Sequence, residues 1–427
     1  MKQRSTEQIG VSRRDFIKTS AAGMAAVLAG KNVMFAGPAK RKFRVALLGC
    51  GGRGNGAMEN CLAAAKIMEV ELNVVATADW FKDRAEGAGK KFNVPPAKCF
   101  SGGDAYKKLL ETDADVVIMA TSPNFRPVHF EAAIKAGKNV FMEKPVAVDP
   151  PGGRRVIAAG ELAKQKGLAV VAGTQRRHQA DYLRTQYAVE RGAIGKIAGG
   201  AIWWCGGALW YQTKRPNESD ADYMVRNWVS FTEMSGDHIV EQHVHNIDIA
   251  NWYVGRPPAR ALGFGGRARR KTGNQFDFFS VDLDYSDGCH IHSMCRQING
   301  TDGDVREFFR GTEGETAGGG GLKGSKEIAV PQFPDRDAYV QEHVDLLTSI
   351  MQEKPLNEAR HVAESTLTAI MSRISAYTGK MVLWKDVVEN EKSPWYNLTL
   401  KPTAEDFETG EVVAPKDDVP AVPGKEA

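Results

Sequence analysis

No two of the six cysteines stand in a Cys-x-x-Cys pair; Cys50, Cys61, Cys99, Cys205, Cys289 and Cys295 are scattered along 427 residues. That spacing points to neither a zinc ribbon nor a disulfide framework. No long basic block interleaves with aromatics, and the formal net charge is only +4. Nucleic acid is therefore not an expected partner. The apolar stretch "TSAAGMAAVLAG" is too short and too rich in Ala and Gly to cross a bilayer comfortably. No internal repeat is found. What remains is ordinary for a globular protein, with 42% hydrophobic and 25% charged residues. The length suits roughly two domains.

The N-terminus is distinctive. "SRRDFIK", Ser12 to Lys18, precedes that apolar stretch. Arg13 and Arg14, followed by Phe16, Ile17 and Lys18, resemble a twin-arginine export signal. Small residues in "FAGPA" offer a cleavage region. Residues 1–39 are thus expected to be a signal peptide that sends the protein to the periplasm through the twin-arginine machinery. That route generally carries folded proteins. A cofactor acquired before export would be hard to replace outside, so tight binding is expected.

From Lys42 to Gln175 the chain alternates short apolar runs with helical spacing. "VALL" (Val45–Leu48), "LNVVATAD", "DADVVIMAT", "NVFMEKP" and "LAVVAGTQ" read as buried strands, with helices between them. This predicts βαβ units and a doubly wound parallel sheet over residues 42–175. The pattern then changes. "KIAGGAIWWC", "ARALGFGGRA", "FDFFSVDLDYSDG", "CHIHSMCRQI" and "VREFFRGTEG" follow one another with few helices between. They predict an α+β domain over 176–380 with a mostly antiparallel open sheet, followed by helices from about Asp337 to Gly379. Residues 381–427 are a C-terminal extension, expected to be loosely ordered from about Pro402. The run Gly318–Gly321 is expected to form a mobile loop.

Gly49-Cys50-Gly51-Gly52-Arg53-Gly54 fits G-x-G-x-x-G, directly after a strand and before a helix. Gly49 makes the tight turn, Gly51 leaves room for a diphosphate, and Gly54 lets helix and sheet approach. Gly52 and Arg53 open the helix, whose free amides favour an anion. Asp79 ends the second strand, where a carboxylate accepts the adenosine ribose hydroxyls and repels a 2′-phosphate. NAD is therefore expected over NADP. The competing reading of Asp79 is a helix N-cap.

Further along stand "ATSPNFRPVHFEAAI" and "AGKNVFMEKP". With the glycine loop and Asp79 they resemble the Gfo/Idh/MocA oxidoreductases, over about Lys42 to Gly379. The resemblance implies that Thr121, Ser122, Asn124 and His129 face the cofactor. It implies that Glu143, Lys144 and Pro145 form the family's Glu-Lys-Pro element, with Lys144 near the nicotinamide and the reacting hydroxyl. An ammonium there stabilises a developing alkoxide. In "HIVEQHVHNIDIANW", Glu241, His245 and Asp248 are spaced to share one helix face. They resemble the family's acidic residue, histidine and aspartate series. This implies substrate contacts from Glu241, His245 and Asp248, with His245 as general base; Glu241 stands where many members have Asp. Arg176, in "GTQRRHQ", is a further substrate-binding candidate. Trp203, Trp204, Trp210 and Tyr211 could stack on a sugar ring or serve as core. The pairs His243/His245 and His290/His292 are not read as a metal site.

The expected function is hydride transfer between NAD and a sugar, polyol or related carbohydrate, in a homo-oligomer. Two other readings stay open. One is an NAD-dependent glycosidase or lyase that oxidises transiently, eliminates and returns the hydride. The other is a binding relative without turnover.

Overall fold

The computed structural model describes residues 41–423, so the expected export signal at 1–39 lies outside the described residues. The first sheet contains β1 (Lys42–Leu48), β2 (Glu71–Asp79), β3 (Cys99–Ser101), β4 (Val116–Met119), β5 (Asn139–Met142) and β6 (Val170–Ala172). Its order is β3-β2-β1-β4-β5-β6, and every neighbouring pair is parallel. Both faces are covered. Val45 and Leu47 pack with Met58 and Cys61 of helix Gly52–Ile67, and with Leu346 and Leu347 of helix Ala338–Met351. Ala46 and Leu48 pack with Leu109 of helix Ala105–Leu110 and Phe130 of helix Arg126–Lys135. A strand buried on both sides needs apolar residues at successive positions, which is why the run does not alternate. Because β1 lies between β2 and β4, crossovers leave it in opposite directions. A crevice opens where the carboxyl ends of β1 and β4 meet.

The second sheet contains β7 (Ile197–Gly206), β8 (Arg260–Gly266), β9 (Phe278–Asp284), β10 (His290–Gln297), β11 (Asp304–Gly311), β12 (Gly314–Ala317), β13 (Gly320–Gly324) and β14 (Val382–Leu383). Its order is β13-β12-β11-β7-β10-β9-β8-β14. Strands β7 and β10 run parallel and the other neighbours antiparallel. Helices Val244–Val254 and Ala359–Thr378 cover one face. The other face is open, with Leu262 47% and Phe264 67% exposed on β8.

Two expectations need correction. The glycine run does not form a free loop: Ala317 pairs with Gly320, and the run is the turn of the β12–β13 hairpin. Gly320 and Gly321 take positive φ there, at 121° and 62°, which glycine adopts without strain. Nor is the segment after Pro402 loose. Thr403 and Asp406 form a capping box that starts helix Ala404–Thr409. Phe407 of that helix is only 3% exposed.

His343 sits on helix Ala338–Met351 with its ring 4.3 Å from that of Phe141. Neither ring nitrogen has a hydrogen-bond partner among the described residues. Burial pushes its pKa down to about 3, with Arg53 and His178 adding repulsion. An unfolded histidine binds its proton near 6.5. The unfolded chain therefore takes up a proton at this residue that the folded chain refuses, and stability is lost as pH falls below about 6.5. His343→Leu removes that term. Its unfolding free energy, measured by denaturant titration against the parent from neutral pH down to about 4.5, is expected to gain by up to about 1.4 kcal/mol per pH unit. A difference independent of pH would contradict this.

Candidate active site

The glycine loop is shaped by two contacts that no side chain could share. Gly49 has φ +94°, and a Cβ on it would stand 2.6 Å from the Ala120 carbonyl carbon after β4. A Cβ on Gly54 would lie 1.8 Å from the Gly49 oxygen. Gly51 and Gly52 differ: a Cβ there would meet nothing within 4 Å. Gly51 is the N-cap of helix Gly52–Ile67 and supplies no side-chain cap. The first-turn amides have no intrahelical acceptors, and the helix dipole adds positive potential. The loop thus pairs free donors with open space, the arrangement a diphosphate requires.

Asp79 closes the loop from below. Its Oδ2 accepts from the Cys50 amide at 2.7 Å and its Oδ1 from the Phe81 amide at 2.9 Å. The helix that follows, Lys82–Lys91, has no side-chain cap, so Asp79 is not its N-cap. Burial raises its pKa, against the two amide bonds.

A cleft of about 560 Å³ runs from this loop between the two sheets. Gly49, Gly51, Gly52, Arg53, Gly54, Asp79, Thr121, Ser122, His129, Glu143, Lys144, Glu241 and His245 all line it. Thr121 Oγ1 lies 3.2 Å from His129 Nδ1. Burial, then the Arg126 charge, pushes His129 down to about 3, so the ring is neutral. Arg126 is itself buried and bonds the carbonyls of Thr121 and Pro145, tying the β4 turn to the Glu-Lys-Pro element. Burial lowers its pKa to about 10. Arg53 is not simply solvated. Its Nε reaches Glu143 Oε1 at 2.5 Å, and its guanidinium lies 4.9 Å from the Tyr339 ring centre. Behind Glu143, the fully buried Glu342 is pushed well above the carboxylate range by burial and by the Glu143 charge.

Lys144 is held by residue 241 twice. Its Nζ donates to the Glu241 carbonyl at 2.5 Å and to Oε1 at 3.0 Å. Glu241 Oε2 is buried without a partner among the described residues. The single helix expected here is two: His238–Glu241 and Val244–Val254. The break comes where the His243 amide bonds the His238 carbonyl, five residues back, instead of continuing the helical register. Glu241 and His245 still reach the same cleft from either side of the break. The His245 ring stacks on Trp204, 5.6 Å between centres. Burial, then the charges of Lys144 and Arg176, hold its pKa well below the usual histidine value.

Three predicted residues stand outside the cleft lining. Asn124 donates to the carbonyls of Glu233 at 2.7 Å and Pro402 at 3.0 Å, so its amide ties chain segments together. Arg176 is paired with Glu307 and packs over Trp204 and Tyr182. Asp248 takes a two-pronged bond from Arg177, at 2.7 and 2.9 Å, and a third from Ser365 at 2.7 Å. It anchors the His245 helix. Each was placed by motif position, and each is claimed by a partner distant in the sequence.

Other lining residues carried no motif. Trp80, Arg84 and Tyr106 line the cleft, as do Gln175, Trp210, Trp228 and Tyr339. Trp80 directly follows Asp79, and Trp210 belongs to an aromatic cluster; the others had no local cue. Of the four aromatics considered for stacking, Trp210 lines the cleft, Trp204 backs His245, Trp203 lies under Arg306, and Tyr211 lines a separate cavity. The His-x-His rings have ordinary partners: His243 bonds Ser293 at 2.8 Å, His290 bonds Asp282 at 2.9 Å, and His292 bonds Ser280 at 2.9 Å.

Known proteins resemble this chain in sequence and fold. Residues 43–174 match the NAD-binding Rossmann fold of an oxidoreductase family, and residues 182–317 match the GFO/IDH/MocA C-terminal domain. Residues 10–30 match a twin-arginine translocation signal. The chain is 24% identical over 326 residues to scyllo-inositol 2-dehydrogenase (NAD(+)) of Bacillus subtilis, covering 71% of this chain and 84% of that protein. It is 28% identical over 281 residues to 2,7-anhydro-N-acetylneuraminate hydratase of Escherichia coli, covering 61% and 68%. An uncharacterized oxidoreductase of Streptococcus pneumoniae is 26% identical over 229 residues, 52% of this chain and only 56% of that one. The crystal structure of levoglucosan dehydrogenase with NADH and levoglucosan shares the fold, with a TM-score of 0.63 at 16% identity over 80% of this chain and 99% of that one. The glycine-loop sheet, the open second sheet and both domain matches lead to one conclusion: the chain belongs to the Gfo/Idh/MocA family of oxidoreductases.

Proposed function

We propose that this protein is an exported NAD-dependent oxidoreductase that transfers hydride to or from a carbon bearing a hydroxyl on a sugar, polyol or related carbohydrate. The observation that carries the proposal is the pairing, in one cleft, of an uncapped glycine-loop helix with a Lys144 ammonium and a neutral His245. Nicotinamide, when bound, supplies the hydride acceptor or donor. The amides of Gly51 to Gly54 hold the diphosphate. Asp79 keeps lone pairs for ribose hydroxyls, and its charge disfavours a 2′-phosphate, so NAD is preferred over NADP. Lys144 stabilises the oxyanion as the hydroxyl proton leaves. His245 takes that proton, and its depressed pKa keeps it ready at neutral pH. Glu241 orients Lys144 through Oε1 and offers Oε2 to a neighbouring substrate hydroxyl. The twin-arginine signal supports export to the periplasm with the dinucleotide already tightly held, since folded proteins use that route.

A second reading keeps the same cleft and changes the net reaction. The free, buried Oε2 of Glu241 beside Lys144 is placed to move a proton during elimination after transient oxidation, and one relative is named a hydratase. Release of aglycone from a glycoside without accumulation of NADH would select this reading over net oxidation.

Lys144→Ala is expected to keep its nucleotide while losing about 10²- to 10³-fold in kcat, read as NADH absorbance across a panel of sugars and polyols. Equal activity in the variant and an active parent would remove Lys144 from the chemistry. A folded, nucleotide-bound parent inert to the whole panel, and to glycosides, would favour a binding protein instead. The pH profile follows from His245. The neutral ring is the active form, so the rate falls as pH drops through its depressed pKa. The acid limb is expected below about pH 6.5 and absent in His245→Ala.

We also propose that the open face of the second sheet pairs copies of the chain. Leu262 and Phe264 are 47% and 67% exposed on it. Phe264→Glu is expected to lower the sedimentation mass of the assembly. An unchanged mass would place the contact elsewhere.

A further inference from the structure

Both family domain matches end before the C-terminal segment begins. That segment nevertheless lies against the cleft. Asn124 donates to the Pro402 carbonyl at 3.0 Å. Phe407 packs edge-on against two aromatics, with ring centres 5.7 Å from Trp80 and 5.1 Å from Phe125. Glu408 accepts from the Tyr106 hydroxyl at 2.8 Å and pairs with Lys107. Trp80, Tyr106 and Phe125 all line the Asp79 end of the cleft. The segment then crosses to the other half of the molecule. The Ala414 amide bonds Asp220 at 2.8 Å; Asp417 takes the Gly273 amide at 2.5 Å, and Asp418 pairs with Arg267 at 2.6 Å. The opposite edge of Trp80 is fixed by a 2.6 Å bond from Nε1 to Asp222, two residues from that same Asp220.

We propose that residues Pro402 to Asp418 form a strap that holds Trp80, Tyr106 and Phe125 as the wall behind the adenosine half of the dinucleotide, with Phe407 and Glu408 as positioning residues. This rests on the reading of the cleft as a dinucleotide site. The physical basis is preorganisation. Free aromatic side chains lose rotamer freedom when a ligand orders them, and that loss weakens binding. The strap orders them beforehand from behind, without touching the ligand. Such effects appear mainly in the dissociation rate. A slow release suits a protein that keeps one cofactor after export.

The test uses the full-length chain with Glu408→Ala and Phe407→Leu. Release of NADH is followed by stopped-flow fluorescence, and ADP-ribose, which lacks the nicotinamide, is titrated by calorimetry. Both variants are expected to release NADH about tenfold faster and to bind ADP-ribose about tenfold more weakly, with turnover at saturating NAD unchanged. A merely structural role would instead lower the melting temperature and leave ADP-ribose affinity alone. Glu408 is partly exposed, so its variant decides the question if Phe407→Leu does not fold. ADP-ribose affinity within about twofold of the parent in Glu408→Ala overturns the strap. A folded parent that binds neither NADH nor ADP-ribose overturns the cofactor reading itself, which is a separate failure.

Discussion

The molecule turns on a close approach of two backbones. At the carboxyl ends of β1 and β4, Gly49 and Ala120 come so near that no side chain fits between them. Gly54 meets Gly49 in the same way from the helix side. These contacts force the first helix to begin at the crevice, with its unpaired amides directed into open space. The rest of the cleft follows from that origin. Asp79, Thr121 and Glu143 each come just after or at the end of a parallel strand, so the sheet delivers them to one edge. A parallel sheet with β1 at its centre makes this edge the place where ligands gather.

Electrostatics then tune what the sheet assembles. The charges around the cleft come in pairs: Arg53 with Glu143, Lys144 with Glu241, Arg176 with Glu307, and Arg177 with Asp248. The last three are largely buried, and breaking one buried pair typically costs about 3–5 kcal/mol. Their geometry is therefore held firmly. Two outcomes matter for chemistry. Lys144 is oriented by a carbonyl and a carboxylate of one residue, while His245 has no carboxylate partner among the described residues and stays neutral. Burial and neighbouring positive charge thus leave His245 able to accept a proton beside the Lys144 side chain.

Much of this was legible in the residues. The glycine loop and Asp79 sit at strand ends where local chemistry dictates their place, while Lys144 and His245 were placed by resemblance to the family's motifs. Asn124, Arg176 and Asp248 were read by the same logic and face elsewhere. Their outcome depends on Glu233, Glu307 and Arg177, partners that no local pattern announces. The helical spacing of Glu241 and His245 predicted a shared face; the shared cleft survives although the helix breaks between them. Tyr339 and Phe407 were invisible for the same reason as Arg177. Helix Ala338–Met351 and the final segment return to the first sheet from late in the chain, and their docking is decided by burial. The composition of the tail suggested disorder, yet one capping box and one phenylalanine seated against Trp80 and Phe125 are enough to order it.

The central claim is that one cleft aligns a dinucleotide with Lys144 and His245. A crystal structure determined with NADH tests it most directly. The account predicts diphosphate oxygens on the amides of Gly51 to Gly54, ribose hydroxyls on Asp79, and the nicotinamide ring facing Lys144 and His245. A dinucleotide bound elsewhere, or a ring turned away from both side chains, would contradict it.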